Sequence, residues 1–285
     1  MQLGKIGVWY PMDKMPATEI ADFARSVERL GYSALWYPEA RGFEALSLGG
    51  CLLGATRKLV VGSSIANIYA RDAFTSARGM LGLNAMYGGR FILGLGVSHK
   101  PMVEGVRGHI YEKPVPAMRA YLDAMEKNAT GTGEWPIALA ALGPLMLKLA
   151  GARTRGALPY NSTPKHTGEA KAILGPDKML AVEQKFCLEA DPKRARALGR
   201  AELSRYLTLE NYRNSWLRIG FAEADLADGG SDAFIDAMVL HGDAATIRKG
   251  IDAHFAAGAT HVCIQPVHAE GDGAARDAML SAMIK

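Results

Sequence analysis

Cysteine is scarce in this chain, and its spacing gives no support to two classes of protein. The 285 residues contain three cysteines, Cys51, Cys187 and Cys263, which lie far apart and form neither a CxxC pair nor a zinc-binding spacing. A disulfide-stapled secreted fold and a structural zinc site are therefore both unsupported. We expect reduced, mostly buried thiols and a cytoplasmic protein.

Long apolar runs are missing as well. The N-terminal residues lead directly into a predicted strand, without the apolar segment that a secretory signal peptide carries. The most apolar stretch, residues 135–151, is interrupted by Gly143, Pro144 and Lys148, which makes it unsuitable as a membrane span. We therefore expect no membrane association.

Neither sign of charge dominates. Lys and Arg number 33 against 29 Asp and Glu, which gives a net charge of +4, and no basic block or nucleic-acid-reading motif occurs. Nucleic acid is thus not an expected partner. The slight basic excess suits an anionic small molecule, and a hydrophobic content of 49% is ample for a large core.

Strand-like and helix-like segments alternate along the whole chain. Eight segments have the composition of strands: residues 5–10, 34–37, 59–65, 91–96, a segment starting at Ile137, 156–160, 179–187 and 261–265. Such alternation predicts a parallel sheet with helical crossovers, and eight strands close a (β/α)8 barrel. The length is typical of one such domain, residues 1–285. An open, doubly wound sheet is the alternative architecture.

The segment between the seventh and eighth predicted strands is longer than one crossover helix requires. It covers residues 191–241, and it contains a polar Asp-Gly-Gly-Ser sequence at residues 228–231. We predict extra helices in this insertion, with a bend at the polar sequence.

The turn after the fifth predicted strand consists of small and apolar residues, followed by an apolar helix. Its residues are Ala140, Ala141, Leu142 and Gly143, with Pro144 at the start of the helix. Small side chains let a ligand approach the backbone closely, and the free N–H groups of a helix start can hold a phosphate. The alternative is that these residues serve only packing.

In a barrel, the functional site lies at the C-terminal ends of the strands. Those ends offer aromatic, amide, hydroxyl and small side chains, with one early carboxylate, Glu39, and no nucleophile–base pair or metal-ligand spacing. This composition favours a cofactor that brings its own reactivity and predicts no metal site. The residues predicted to line a substrate cleft, or else to pack in the core or rim, are Tyr10, Tyr37, Tyr160 and Gln184.

Four segments carry a family resemblance: residues 30–39, 61–72, 88–98 and 140–144. On these segments the chain resembles the luciferase-like superfamily of flavin and deazaflavin oxidoreductases, which are (β/α)8 barrels and include bacterial luciferase and F420-dependent enzymes. The Gly-Gly-Arg-Phe to Gly-Leu-Gly sequence at residues 88–96 is the most specific part. The resemblance spans essentially the whole chain.

The resemblance implies a set of cofactor-binding residues around the strand ends. Ser64 and Ile65 would form a non-proline cis peptide or a bulge that supports the ring of the cofactor from behind. Glu39 would lie near that ring as the catalytic acidic residue. The other implied cofactor-binding residues are Asn67, Gly96, Val97, Ser98 and, at the phosphate end, Ala140, Ala141, Leu142 and Gly143.

The chain departs from one branch of that superfamily. F420-dependent sugar-phosphate dehydrogenases have a histidine base directly after the acidic residue, whereas this chain has Ala40 after Glu39. The resemblance therefore implies hydride transfer between coenzyme F420 and a small organic substrate, without a base at this position. An FMN-dependent monooxygenase and a non-catalytic ligand-binding barrel are the alternatives. The resemblance also implies a homodimer.

Overall fold

Parallel strands close into a barrel in the computed structural model, which describes residues 3–127 and 135–284. The strands are β1 (Ile6–Trp9), β2 (Ala34–Tyr37), β3 (Val60–Ser63), β4 (Ala66–Asn67), β5 (Phe91–Gly96), β6 (Ile137–Leu139), β7 (Gly156–Ala157), β8 (Met179–Cys187), β9 (Val239–His241) and β10 (His261–Pro266). β4 pairs only with β5 and β9 only with β8, whereas the other eight form a ring that the β8–β10 pairing closes. The predicted (β/α)8 barrel is confirmed, and the open sheet is wrong.

Helices surround the barrel and follow the predicted alternation. Within the described residues they are α1 (Ala17–Arg29), α2 (Ala45–Ala55), α3 (Ala73–Met86), α4 (Lys100–Val103), α5 (Pro114–Lys127), α6 (Pro144–Arg153), α7 (Pro164–Leu174), α8 (Pro192–Leu203), α9 (Glu210–Arg218), α10 (Asp232–Met238), α11 (Ala244–Ala256) and α12 (Gly273–Ile284). Side chains cap the N-termini of several helices. The Asp72 carboxylate at the start of α3 accepts a hydrogen bond from the backbone N–H of Thr75, and the Thr163 hydroxyl at the start of α7 accepts one from that of His166. None of these helices is long and apolar enough to cross a membrane.

The insertion between β8 and β10 forms the predicted extra helices. It contains α8, α9 and α10, and it also contributes β9, a strand that the sequence did not predict. The polar bend is present, since Asp228, Gly229 and Gly230 all have positive φ angles. Trp216 and Phe234 pack edge to face at the centre of this layer, with ring centroids 4.9 Å apart.

Side chains of the barrel strands alternate between two cores. The outward-facing set, including Leu35, Val61 and Ile264, packs under the helices. The inward-facing set, including Trp9 and Trp36, fills the interior of the barrel, here called the lumen. Packed side chains therefore fill this interior, as in other small barrels.

A glycine creates the space that the largest lumen side chain needs. A Cβ atom on Gly62 would lie 2.4 Å from the Trp36 indole, which is fully buried. Any larger residue at Gly62 would therefore displace the indole from the barrel interior.

His261 is a buried partner of the same indole. Its Nε2 accepts a hydrogen bond from Trp36 Nε1 at 3.1 Å, and its Nδ1 donates to the carbonyl oxygen of Gly4 at 2.6 Å. These two bonds fix the neutral tautomer, because a proton on Nε2 would face the indole N–H. Burial lowers the pKa of His261 to about 4.

We predict that acidification destabilises the fold in part through His261. The pKa of this group is about 4 in the folded chain and about 6.5 when unfolded. Its stabilising contribution is therefore complete above about pH 6.5 and is lost as the pH falls toward about 4. The loss amounts to about 2 kcal/mol between about pH 7 and about pH 5, measured as the free energy of unfolding in urea.

Two variants separate this contribution from general acid sensitivity. His261→Gln removes the titrating ring, so its free energy of unfolding should fall by about 2 kcal/mol less than that of the wild type over the same pH interval. His109→Gln alters an exposed histidine and should keep the wild-type dependence. Equal pH dependence in His261→Gln and the wild type would contradict the assignment.

Candidate active site at the mouth of the barrel

The C-terminal ends of the barrel strands form one rim, here called the mouth, because all the strands run parallel. At this rim the peptide bond between Ser64 and Ile65 is cis, as the family resemblance implied. The Ser64 carbonyl oxygen accepts a hydrogen bond from Trp9 Nε1 at 3.3 Å, and its backbone N–H donates to Tyr37 O at 2.6 Å. Ser64 is thereby attached to both β1 and β2.

The cis peptide continues into a surface made by the next two strands. A Cβ atom on Gly96 would lie 2.4 Å from Cγ1 of Ile65 and 3.3 Å from Cβ of Ala140. The missing side chain at Gly96 thus allows Ile65 and Ala140 to approach each other. The structure brings these three predicted cofactor-binding residues together with Ser64 on one side of the mouth.

The Glu39 carboxylate lies in a buried ion pair. Its side chain is 3% exposed and pairs with Arg71, whose side chain is 7% exposed and also contacts Glu44. The same carboxylate accepts hydrogen bonds from the backbone N–H of Asn67 at 2.8 Å and of Ala45 at 3.2 Å. Since both oxygens of Glu39 accept hydrogen bonds, the geometry makes it an anchor of the rim, and its catalytic role stays a prediction.

Asn67 presents a polar group without a partner. The residue is 1% exposed, and its Oδ1 accepts from the backbone N–H of Tyr69 at 2.9 Å. Its Nδ2 has no hydrogen-bond partner within residues 3–127 and 135–284. A buried N–H group left in this way costs free energy that an acceptor atom of a ligand would recover.

The loop after β5 has an unusual backbone at the predicted position. Ser98 has a φ of 58°, in the left-handed region, and its carbonyl oxygen accepts from the Tyr111 hydroxyl at 3.3 Å. Val97, directly before it, is partly exposed. Both residues remain at the rim, beside Gly96.

The turn between β6 and α6 is open to a ligand. A Cβ atom added to Gly143 would meet no atom within 4 Å, and the helix begins at Pro144 without a side-chain cap. The Leu142 carbonyl oxygen accepts from His166 Nε2 at 2.9 Å and from Arg218 Nη2 at 2.7 Å. A helix start next to a guanidinium group is suited to an anion.

Two of the four predicted substrate-lining residues lie at the mouth. The Tyr160 ring faces the lumen, with its centroid 4.8 Å from that of Trp9. Tyr10 lies on the outer side of the rim, where its ring packs on Phe23 and its hydroxyl contacts Nε2 of His268 at 3.2 Å. Of the two, Tyr160 is the one that contacts the lumen.

The other two predicted substrate residues, Tyr37 and Gln184, are wrong. Tyr37 is fully buried outside the barrel, and its hydroxyl donates to the Ala45 carbonyl oxygen at 2.5 Å. The Gln184 side chain also faces outward and bonds His254 Nε2 at 2.7 Å. Successive residues of a strand point to opposite faces, so Gln184 lies on the face away from the site.

The neighbours of Gln184 are lumen residues that the sequence analysis missed. Glu183 and Lys185 are 3% and 1% exposed, and Lys185 Nζ lies 3.2 Å from Glu183 Oε1 and 2.6 Å from Asn161 Oδ1. Burial raises the pKa of Glu183 and lowers the pKa of Lys185. Strand alternation was the signal that could have found them, because two charges two residues apart share a face.

We predict that Arg71→Met destabilises the fold strongly. The substitution would leave the buried Glu39 carboxylate without its counter-charge, which should lower the free energy of unfolding by about 3–5 kcal/mol. Denaturant titration measures this. Arg25→Met is the control, because Arg25 and Asp22 form an exposed pair and their loss should change stability by less than about 1 kcal/mol. A similar effect of both variants would contradict the anchoring role.

Comparison of sequences identifies relatives of this chain. A protein of Mycobacterium tuberculosis named as a coenzyme F420-dependent oxidoreductase is 28% identical over 203 residues, 59% of this chain and 58% of that protein. The 5,10-methylenetetrahydromethanopterin reductase of Methanolobus tindarius is 28% identical over 218 residues, 66% of each chain. The chain thus spans less than two thirds of the length of these curated relatives.

Solved structures share the fold over nearly the whole chain. An F420-dependent secondary alcohol dehydrogenase, in complex with an F420–acetone adduct, superposes with a TM-score of 0.76 at 17% identity, covering 100% of both chains. The oxygenating component of the FMN-bound 3,6-diketocamphane monooxygenase of Pseudomonas putida gives 0.71 at 17% identity, covering 100% of this chain and 98% of that one. A family model described as luciferase-like monooxygenase matches residues 2–261, and the chain therefore belongs to that family.

Proposed function

We propose that the protein is a coenzyme F420-dependent oxidoreductase that transfers a hydride between the deazaflavin and a small organic substrate. The observation that carries this proposal is one continuous surface at the mouth. It runs from Ile65, across Gly96 and Ala140, to the open turn that ends at Gly143. The names of the two curated relatives, which refer to F420 and to methylenetetrahydromethanopterin reduction, support the same class of chemistry.

Residues along that surface fit the two ends of such a cofactor. The planar ring would lie against Ser64 and Ile65, where the unpartnered Nδ2 of Asn67 would donate to a ring acceptor atom. Gly96, Val97 and Ser98 would border the ring. The phosphate would take the backbone N–H groups of Ala141, Leu142 and Gly143, since the N–H of Ala140 already donates to the Leu95 carbonyl oxygen.

The protein side of the reaction is positioning and exclusion of water. When bound, F420 supplies the carbon that carries the hydride, so the chain needs to hold this carbon against the substrate. Trp9 and Tyr160 form an aromatic wall beside the Ser64 carbonyl oxygen. This wall would restrict water and orient the substrate on the exposed face of the ring.

An FMN-dependent monooxygenase is the second candidate. The FMN-bound structural neighbour shares the fold over the full length of this chain, and FMN also combines a planar ring with a phosphate. The same surface would accept it. Cofactor binding, rather than fold, therefore distinguishes the two candidates.

The proposal is tested by titrating the purified protein with F420 and with FMN while following cofactor fluorescence. We expect saturable F420 binding in the low micromolar range and no comparable binding of FMN. Tight FMN binding without F420 binding would overturn the proposal in favour of the monooxygenase. Binding of neither cofactor would favour a non-catalytic barrel.

We predict that Arg218→Ala weakens F420 binding about five- to tenfold, which corresponds to about 1 kcal/mol. The Arg218 guanidinium contacts the turn at Leu142, so it would be close to the phosphate. The deazaflavin riboside without phosphate should bind both proteins equally. Arg213→Ala, on the same helix but paired with Glu223, is the matched control. An equal loss of affinity for the riboside would contradict the phosphate contact.

A further inference from the structure

We propose that Tyr160 is the catalytic acid of the reaction, which donates the proton that accompanies the hydride when a substrate carbonyl is reduced. In this arrangement Tyr206 resupplies the proton and Lys185 stabilises the phenolate. This inference rests on the proposed F420-dependent function, and it names the carbonyl compounds as the substrate class.

A proton donor other than Glu39 is required at the mouth. Glu39 is already paired with Arg71 and accepts from two backbone N–H groups, and Ala40 follows it. Among the lumen residues, Glu183 and Lys185 are buried beneath the aromatic wall. Tyr160 carries an acidic proton, faces the lumen and remains partly exposed at the mouth.

Tyr160 lies next to the surface where the cofactor ring would bind. The Ser64 carbonyl oxygen accepts the hydrogen bond of Trp9, and the Trp9 ring lies against the Tyr160 ring at 4.8 Å between centroids. A substrate held between the cofactor ring and this wall would therefore be within reach of the Tyr160 hydroxyl.

The Tyr160 hydroxyl is part of a hydrogen-bonded chain that leads to solvent. It donates to Gln265 Oε1 at 3.0 Å and lies 2.9 Å from the Tyr206 hydroxyl. Gln265 is fixed in this orientation because its Nε2 donates to Glu202 Oε1 at 3.0 Å. Tyr206 in turn accepts from the guanidinium of Arg205, an exposed residue. The Tyr206 hydroxyl can therefore return a proton to Tyr160, and because a guanidinium group does not release its proton, Tyr206 is reprotonated by water.

A buried cation faces the Tyr160 ring. Lys185 Nζ lies 3.9 Å from the ring centroid, and Glu183 and Asn161 hold it there. Asn161 is itself constrained, with a φ of 54° and its carbonyl oxygen bonded to Trp216 Nε1 at 2.9 Å. The ammonium group at this position favours negative charge on the phenolate, whereas the Glu183 carboxylate beside it raises the pKa of Tyr160.

The step balances in atoms and electrons. The carbonyl carbon gains a hydride, with its electron pair, from reduced F420, which is thereby oxidised. The carbonyl oxygen gains the Tyr160 proton, so the product is an alcohol. The phenolate takes a proton from Tyr206, and Tyr206 takes one from water, which restores both phenols. Burial raises the pKa of Tyr160, which keeps the phenol protonated near neutral pH until the hydride is transferred.

The direct test is Tyr160→Phe, which removes only the hydroxyl. With reduced F420 and the probes cyclohexanone and 4-nitrobenzaldehyde, kcat should fall about 100- to 1000-fold with little change in KM. The affinity for oxidised F420, measured by fluorescence without turnover, should stay within about twofold. Tyr87→Phe is the matched control, because the same change is made at the C-terminal cap of α3, outside the barrel, and its kcat should be that of the wild type.

A second variant tests the role of the cation. Glu183→Gln combined with Lys185→Met removes both charges and leaves neither unpaired, so the melting temperature should be retained. Its kcat should fall at least tenfold, again with little change in KM. The NMR resonance of Tyr160 Cζ is measured in cofactor-free protein labelled at this atom of tyrosine, and it is assigned by its loss in Tyr160→Phe. Its chemical shift should differ between the wild type and the double variant. An unshifted resonance together with a wild-type kcat would overturn the role of Lys185.

Cofactor binding tests the proposed function, whereas turnover of the carbonyl probes tests the role of Tyr160. Absence of F420 binding by the wild type would overturn the proposed function itself. F420 binding without turnover of either carbonyl probe would overturn the substrate class. A wild-type kcat in Tyr160→Phe would overturn the assignment of Tyr160. So would a loss of kcat in His99→Asn without one in Tyr160→Phe, because the His99 ring packs on Tyr212, which in turn packs on Tyr160.

Discussion

Pairing between β8 and β10 is the interaction on which the site depends. The register sets Lys185 beside Gln265 and Glu183 beside Cys263, and it closes the ring of strands. Closure brings the end of β10 next to Tyr160, which follows β7 on the other side of β8. In an open sheet the same side chains would lie along an exposed edge, so barrel closure itself creates the buried polar group beneath the mouth.

Two buried ion pairs at this rim have different consequences. Arg71 and Glu39 join segments that are 32 residues apart, and the backbone N–H groups around them complete the bonding of the carboxylate. That pair fixes a loop. Glu183 and Lys185 are neighbours on one strand, and both bond Asn161 in the segment that follows β7. A buried pair of that kind is weak evidence for stability, and its position against an aromatic ring in the lumen favours a chemical role.

The sequence predicted the barrel because alternation and periodicity are local properties. The eight strand segments, the extra helices and the bend at Asp228 all follow from composition within short windows. The site was less predictable. The partner of Glu39 and the partner of Tyr160 lie 32 and 46 residues away, so no local pattern could indicate them. The cis peptide came from the family resemblance alone, since serine and isoleucine have ordinary backbone preferences.

The errors at Tyr37 and Gln184 have one physical origin. Both residues were chosen for chemical type at a strand end, and both lie on the outward face. Because side chains alternate along a strand, a shift of one residue exchanges lumen for helix layer. Counting alternate positions from Trp36 and from Glu183 would have excluded both.

Helix α9 is attached to two neighbouring strand ends at once. Arg218 bonds the carbonyl oxygen of Leu142 after β6, and Trp216 bonds that of Asn161 after β7. The two turns are thus linked through a single helix. Under the proposed function, linkage requires that any effect of the coenzyme on the affinity for the substrate equal the effect of the substrate on the affinity for the coenzyme.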